Sequence, residues 1–281
     1  MIDISKVEPI LKWAGGKRQL LSEIERLLPE DFYNRKYYEP FFGGGAVFFY
    51  FNPQKAVIND TNIELINLYS TVKDNPEKLI SCLKRMKNEK DEFYYIRGLD
   101  RREEYAKMTS IERAARIVYL NRTSFNGLYR VNSKGQYNTP FGNYKTPKIV
   151  DEERIMNMHN FFRKSKTQML STDFEKALEG IQSESFVYFD PPYDPLSKTA
   201  NFTSYSENDF TQRDQIRLRD LCVKLHKKKI KFMVSNSDTK FINELYGDEQ
   251  IFKIHKVIVR RMIGAKKETR KPVFEVLITN Y

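Results

Sequence analysis

The sequence predicts an α/β protein. It reads as a twisted, mostly parallel sheet of about seven strands with helices on its faces, interrupted by a mainly helical insertion that carries a β-hairpin. Short runs rich in apolar, β-branched and aromatic residues recur at KYYEPF (36–41), KAVIND (55–60), MLSTDF (169–174), SFVYFD (185–190), KFMVSN (231–236), HKVIVR (255–260) and VFEVLITN (273–280), each of strand length. Helical text separates some of them: Leu218, Leu221, Cys222 and Leu225 recur at i, i+3, i+4 and i+7 just before KFMVSN. Strand–helix–strand alternation favours parallel pairing.

The middle of the chain reads differently. From Thr61 to about Lys107 there is charged helical text and no convincing strand. Thr109 and Glu112 then form a capping box ahead of the stripe Ile111, Ala114, Ala115 and Val118. The economical division is a discontinuous α/β domain, 1–60 and 166–281, split by a helical insertion over 61–165.

Composition limits the function classes. The 281 residues hold 48 Lys+Arg against 37 Asp+Glu, a formal charge of +11, which suits a polyanionic partner or an ordinary lysine-rich surface. No stretch approaches the ~18 apolar residues of a membrane span. The N-terminal MIDISKVEPILKW carries acids and no apolar run, so no secretory signal is expected. Cys82 and Cys222 lie far apart and the histidines are scattered, so neither a disulfide framework nor a metal site is expected. The expected setting is intracellular, in the cytoplasm.

Four stretches can carry chemistry. FVYFDPPYDPL (186–196) ends a core strand with Asp190, Pro191, Pro192 and Tyr193. The prolines cannot donate to a ladder, so they hold an acid, a carbonyl and an aromatic ring rigidly at a strand's carboxyl end, where open α/β sheets place ligands. YYEPFFGGGAVFF (37–49) sets a glycine turn after a strand, and Asp60 closes the next one. A glycine turn followed by an acid suits a nucleoside whose ribose hydroxyls the acid accepts. The spacing is not G-x-G-x-x-G and no phosphate-binding lysine follows, which disfavours NAD or ATP. LKWAGGKRQLL (11–21) brings the sole tryptophan beside Gly15, Gly16 and Lys17, a buried Trp at a helix start or a cradle for a ligand carboxylate.

The last of the four stretches is 121–150. It contains Arg122, Arg130, Lys134, Lys145 and Lys148, no acid, and the aromatics Phe125, Tyr129, Tyr137, Phe141 and Tyr144 around the hairpin-like turn NSKGQ. Cations interleaved with aromatics suit phosphate contact and base stacking. A further basic loop, RRMIGAKKETRK (260–271), reads as a solvated hairpin tip or a phosphate contact.

In that order along nearly the whole chain, LKWAGGKRQLL, EPFFGGGAVFF, FNGLYR with YNTPFG, and FDPPY resemble the Dam-type DNA adenine-N6 methyltransferases, the bacterial GATC enzymes of restriction–modification systems. The resemblance implies an AdoMet-dependent methyltransferase fold, a Rossmann-like sheet with a target-recognition insertion, in a bacterial or phage-encoded enzyme acting on double-stranded DNA. It implies S-adenosyl-L-methionine as cofactor, held by Trp13 and Lys17 at its methionine end and by Glu39, Pro40, Phe41, Gly43 and Gly45 in the turn. Asp60 would take its ribose, Asp173 with Phe174 its adenine, and Asp190 would also line the cofactor site. Asp190, Pro191, Pro192 and Tyr193 would form the catalytic clamp. Phe125 and Asn126 would lie near the space left by a flipped base. Leu128, Arg130 and Pro140 would touch base edges, and Lys12 an outer guanine. The chain departs from the pattern at Asn143, after PFG, where some relatives have arginine. The resemblance admits a cognate restriction endonuclease as a functional, not physical, partner, and implies no metal and no membrane.

The resemblance also implies how DPPY would act. Asp190 and the Pro191 carbonyl would accept from the adenine amino group, freeing its lone pair for direct in-line transfer to the methyl group. The residues alone leave other amines open (cytosine N4, RNA adenine, a protein glutamine amide), as well as a non-catalytic DNA-binding relative.

Overall fold

The computed structural model describes residues 7–13, 17–196, 210–259 and 273–281. Its strands are β1 (Lys36–Glu39), β2 (Lys55–Asn59), β3 (Lys166–Leu170), β4 (Ser185–Phe189), β5 (Lys231–Ser237), β6 (Lys253–Val259) and β7 (Val273–Thr279). They form one sheet in the order β3-β2-β1-β4-β5-β7-β6. Every pair from β3 to β5 is parallel, and β7 runs antiparallel to both β5 and β6. The chain order reverses between β1 and β4, the position at which such sheets open a crevice beyond their carboxyl ends.

Period-2 alternation explains why both faces are covered. Tyr37, Ile58 and Phe186 belong to one buried cluster, while their neighbours Tyr38, Val57 and Val187 belong to the other. The second face is packed by α8 (Gln212–Lys227), whose Leu218, Leu221, Cys222 and Leu225 are buried as their spacing predicts, and by Ile242 of α9 (Lys240–Leu245). The first face takes α1 (Leu21–Leu27) and α2 (Ala46–Phe51).

Between β2 and β3 run α3 (Ile63–Asp74), α4 (Pro76–Lys84), α5 (Lys90–Gly98), α6 (Ser110–Thr123) and α7 (Glu152–Lys164). The Thr109/Glu112 capping box is formed at the start of α6, with each partner's side chain bonded to the other's backbone. These helices share the first cluster with the sheet: Tyr69 of α3 meets Phe42 at 5.0 Å, and Phe161 of α7 meets Phe48 at 5.2 Å.

The third strand is displaced from its expected place. MLSTDF reads as a strand over 169–174, but β3 spans 166–170. Asn59 is the reason: its side chain accepts from the Thr172 N–H at 2.9 Å and donates to the Thr172 carbonyl at 3.0 Å. That pairing turns the chain out of the sheet, so Asp173 and Phe174 stand in a loop at the carboxyl edge. No described helix is long and apolar enough to cross a membrane.

Candidate active site

The DPPY segment leaves β4 at the switch point, and two groups hold one oxygen of its acid. Asp190 Oδ1 receives the Lys17 ammonium at 2.8 Å and the Ser235 hydroxyl at 2.9 Å. The Asp190 side chain keeps 21% of its exposure. Burial raises the Asp190 pKa above the ordinary value, with Lys17 and then Ser235 opposing it. The Pro192 carbonyl is taken by the Gln215 amide at 2.9 Å, and Asn236 donates to Gln215 and accepts from the Asp194 N–H. The Tyr193 hydroxyl donates to Glu275 at 2.9 Å, and the Lys17 ammonium lies 4.3 Å from its ring centroid. The segment is therefore braced at the Asp190, Pro192, Tyr193 and Asp194 positions by groups outside it.

The glycine turn sits beside this corner. Gly45 has φ +69, and a Cβ there would stand 2.5 Å from the Phe42 ring, so only glycine lets the turn close onto α2. Asp60 closes β2 and binds the turn: Oδ2 accepts from the Gly43 N–H at 2.9 Å and Oδ1 from the Asn62 N–H at 2.8 Å. Trp13 lies against Gly43 and Gly44. Glu39 is buried and accepts from the Tyr37 hydroxyl at 2.7 Å; burial pushes its pKa well up, and the nearby Asp190 and Asp60 add to the rise. Pro40 is buried, and its carbonyl accepts from Asn59. Phe41 lies 5.3 Å from Phe174 and 5.5 Å from Phe210. Arg217 covers Phe174 at 4.8 Å and pairs with Asp173 at 3.2 Å. Lys17, Glu39, the turn, Asp60, Asp190 and Tyr193 are thus brought together, with Asp173 and Phe174 on the adjoining aromatic wall.

The expected DNA-contacting residues gather on a second ridge. Phe125 and Asn126 are exposed, with Asn126 at φ 56. The Phe125 N–H donates to the Pro140 carbonyl at 2.9 Å, which joins the two recognition stretches. Val131 bridges Tyr137 around a turn in which Asn132 and Gln136 bond each other, so NSKGQ closes a short hairpin. The exposed Arg130 donates through Nε to Asn138 at 2.7 Å. The Leu128 carbonyl accepts from the Tyr137 and Thr139 hydroxyls. Lys12 is exposed, with its backbone clamped by the Asn121 side chain, which also donates to the Gly127 carbonyl. Of the cations in 121–150, Arg122 is turned inward, donating to the Ile10 carbonyl at 2.6 Å, and Lys148 pairs with Asp151 at 2.8 Å. Gly15, Gly16 and the whole 260–271 loop, with its basic residues Arg260 through Lys271, lie outside the described residues.

Sequence reasoning passed over Ser235, Asn236, Gln215 and Glu275, which support the DPPY segment. A signal existed for the first two: the apolar run of KFMVSN ends on polar residues, as FVYFD ends on an acid. It also passed over Asp100, which accepts the Tyr137 N–H at 2.7 Å while paired to Arg116 at 2.8 Å. Nothing in a charged helical stretch distinguishes that carboxylate from its solvated neighbours.

A seven-stranded mixed sheet of this order, with an acid-proline-proline-tyrosine corner beside a glycine turn at the switch point, defines an α/β methyltransferase. Residues 13–263 match the D12 class N6 adenine-specific DNA methyltransferase family, and the chain belongs to it. It is 50% identical to the type II methyltransferase M1.LlaDCHI of Lactococcus lactis subsp. cremoris over 98% of this chain and 96% of that one. It is 43% identical to the type II methyltransferase M.MjaIII of Methanocaldococcus jannaschii over 98% of this chain and all of the other. To a DNA adenine methylase of Haemophilus influenzae it is 39% identical, over 97% of this chain and 93% of that one. The protein is an adenine-specific DNA methyltransferase.

Proposed function

We propose that this methyltransferase takes its methyl group from AdoMet and delivers it to adenine N6 within GATC, after the base leaves the duplex. The observation that carries the reading is the fixing of Asp190 Oδ1 by Lys17 and Ser235 at the carboxyl end of β4; Oδ2 is the acceptor in this reading. The donor set suits AdoMet. Asp60 keeps lone pairs beyond its two backbone bonds for ribose hydroxyls, and the Asp190 carboxylate beside the turn suits a cationic ligand. Trp13, the turn, Asp60 and the wall of Phe41, Asp173 and Phe174 would hold it. When bound, AdoMet supplies an electrophilic methyl group.

The chain's own residues then act on the amine. Asp190 Oδ2 and the Pro191 carbonyl accept the two amino hydrogens, drawing the nitrogen lone pair out of conjugation with the ring. A preorganised carboxylate in a site sheltered from water stabilises the positive charge that develops on that nitrogen. Lys17 and Ser235 keep the carboxylate in position and ionised. Tyr193, held by Glu275, offers the ring face away from Lys17 for stacking on the base.

The segment 61–165 is the part that reads DNA in this proposal, through Lys134 and Lys145 on phosphates and through Leu128, Arg130 and Pro140 on base edges, with Lys12 beside them. Phe125 and Asn126, exposed at the tip of the joined stretches, suit the gap left in the helix. The names of the Lactococcus and Methanocaldococcus relatives, both type II methyltransferases, support a restriction–modification role; a cognate endonuclease as functional partner and a cytoplasmic site of action belong to the same proposal. Sequencing DNA from cells expressing the protein, with N6-methyladenine assigned by motif, tests the reading. Methylation at GATC is expected; cytosine methylation or a different motif would refute the corresponding part.

A further inference from the structure

Tyr129 stands between the two halves of the site. Its ring stacks on the Trp13 indole, with centroids 5.0 Å apart and planes 27° apart, and meets Tyr137 edge-on at 5.5 Å. Trp13 in turn packs so tightly on the glycine turn that a Cβ on Gly43 would stand 3.1 Å from the indole, and one on Gly44 2.9 Å from the Trp13 Cβ. The Tyr129 hydroxyl faces the Asn62 side chain. The Asn62 N–H is bonded to Asp60, whose other oxygen holds the Gly43 N–H. One side chain therefore touches the glycine turn through Trp13 and the acid that braces it through Asn62.

Along the chain, Tyr129 lies between two residues of the reading hairpin. Leu128 is anchored through its carbonyl to Tyr137 and Thr139, and Arg130 projects to solvent. Gly127, at φ +65, runs so close to the N-terminal segment that a Cβ there would stand 2.8 Å from the Lys12 side chain. Asn121 binds the backbones of Lys12 and Gly127 together. The hairpin, the N-terminal segment, Trp13 and the turn are thus joined in one unbroken series of contacts.

We propose that Tyr129 is a positioning residue that couples the glycine-turn pocket to the DNA-reading hairpin, so that occupancy of either tightens the other. The inference rests on the proposed function, in which the turn holds the donor and the hairpin meets DNA. Its physical basis is shared ordering: a ligand that settles one partner of the stack settles the other, and the second ligand then orders less. The coupling is reciprocal, as any linkage between binding free energies must be.

The test uses the full chain, S-adenosylhomocysteine as a non-reactive probe and a GATC duplex. The dissociation constant of the probe is measured by calorimetry with and without saturating duplex, and that of the duplex by anisotropy with and without the probe. Trp13 is the only tryptophan in the sequence, so its emission also reports on the stack. The wild-type ratio should fall in the ~5–150-fold range of allosteric couplings, remain in Tyr129→Phe, which keeps the ring, and collapse toward about 1 in Tyr129→Leu. Tyr129→Met serves as a second ring-free variant, and cooperative thermal unfolding shows which variants are folded. A ring-free variant that keeps the wild-type ratio overturns the inference, as does a wild-type ratio of one with both probes bound. Failure of the wild type to bind the probe would instead overturn the functional reading.

Discussion

Asp190 and Ser235 face each other across neighbouring strands, with the serine hydroxyl donating at 2.9 Å to the same carboxylate oxygen that receives Lys17 at 2.8 Å. Two groups on one oxygen fix the plane of the carboxylate. In the proposed function that carboxylate accepts from the substrate amine. Asp190→Ala should cost on the order of 10² or more in turnover, since the lost interaction strengthens only as charge develops. S-adenosylhomocysteine binding should weaken much less. Single-turnover methylation of a GATC duplex measures the first, and near-full turnover would remove Asp190 from the mechanism.

The pH dependence follows from the same pair. Burial raises the Asp190 pKa, while Lys17 most strongly, and Ser235 less so, hold it down. Methylation needs the carboxylate, so kcat/KM should fall as pH drops through this raised value. Ser235→Ala removes one opposing group and should shift the acid limb to higher pH. Lys17→Met should shift it further, and an acid limb unmoved in both variants would assign it to another group.

Glu39 makes a separate prediction about stability. Its folded pKa lies well above the ordinary value, through burial and then the nearby acids against the Tyr37 hydrogen bond. A group with a raised folded pKa contributes stability that is complete below its unfolded pKa and lost as pH rises through the folded one. Glu39→Gln keeps an acceptor for Tyr37 and cannot ionise. The Tm of the variant should therefore gain on the wild type as pH rises, each unit of pKa shift being worth about 1.4 kcal/mol. Parallel Tm profiles would show that Glu39 is already ionised.

The hairpin is tied to a carboxylate of the helical stretch. Asp100 accepts the Tyr137 N–H and pairs with Arg116, both side chains largely buried at 11% and 8% exposure. Asp100→Ala leaves a buried guanidinium without its counter-charge, at a cost of about 3–5 kcal/mol. Chemical denaturation should show a lower midpoint with an unchanged slope. A midpoint equal to wild type would mean that the pair contributes nothing net.

Arg130 is the residue expected to read sequence. Asn138 takes its Nε, which leaves the terminal nitrogens of the guanidinium for a base edge. A bidentate contact to guanine is worth roughly 1–3 kcal/mol of discrimination. Arg130→Ala should lower kcat/KM on GATC by about 10- to 100-fold and barely affect duplexes already altered at the guanine it reads. An equal loss on every duplex would make it a phosphate contact.

By itself the sequence determined the sheet's strands, the helical stretch between β2 and β3, the α6 capping box, the α8 stripe, the glycine turn and the acid that ends β4. These are local properties: period, turn chemistry and proline's missing donor act over a few residues. The resemblance of the motifs added the family. Tertiary structure alone decided which groups meet. Ser235 reaches Asp190 because β5 pairs with β4 in the register Phe189 to Val234, and Glu275 reaches Tyr193 because β7 enters antiparallel with Glu275 opposite Ser237. Even the extent of β3 was set from outside, by the Asn59 side chain capturing Thr172. Strand order and register are fixed by contacts between distant segments, and no local pattern encodes the identity of a neighbour that the chain brings in a hundred residues later. That is also why Trp13 and Tyr129 read as a cofactor residue and a hairpin aromatic, and only the fold made them one stack.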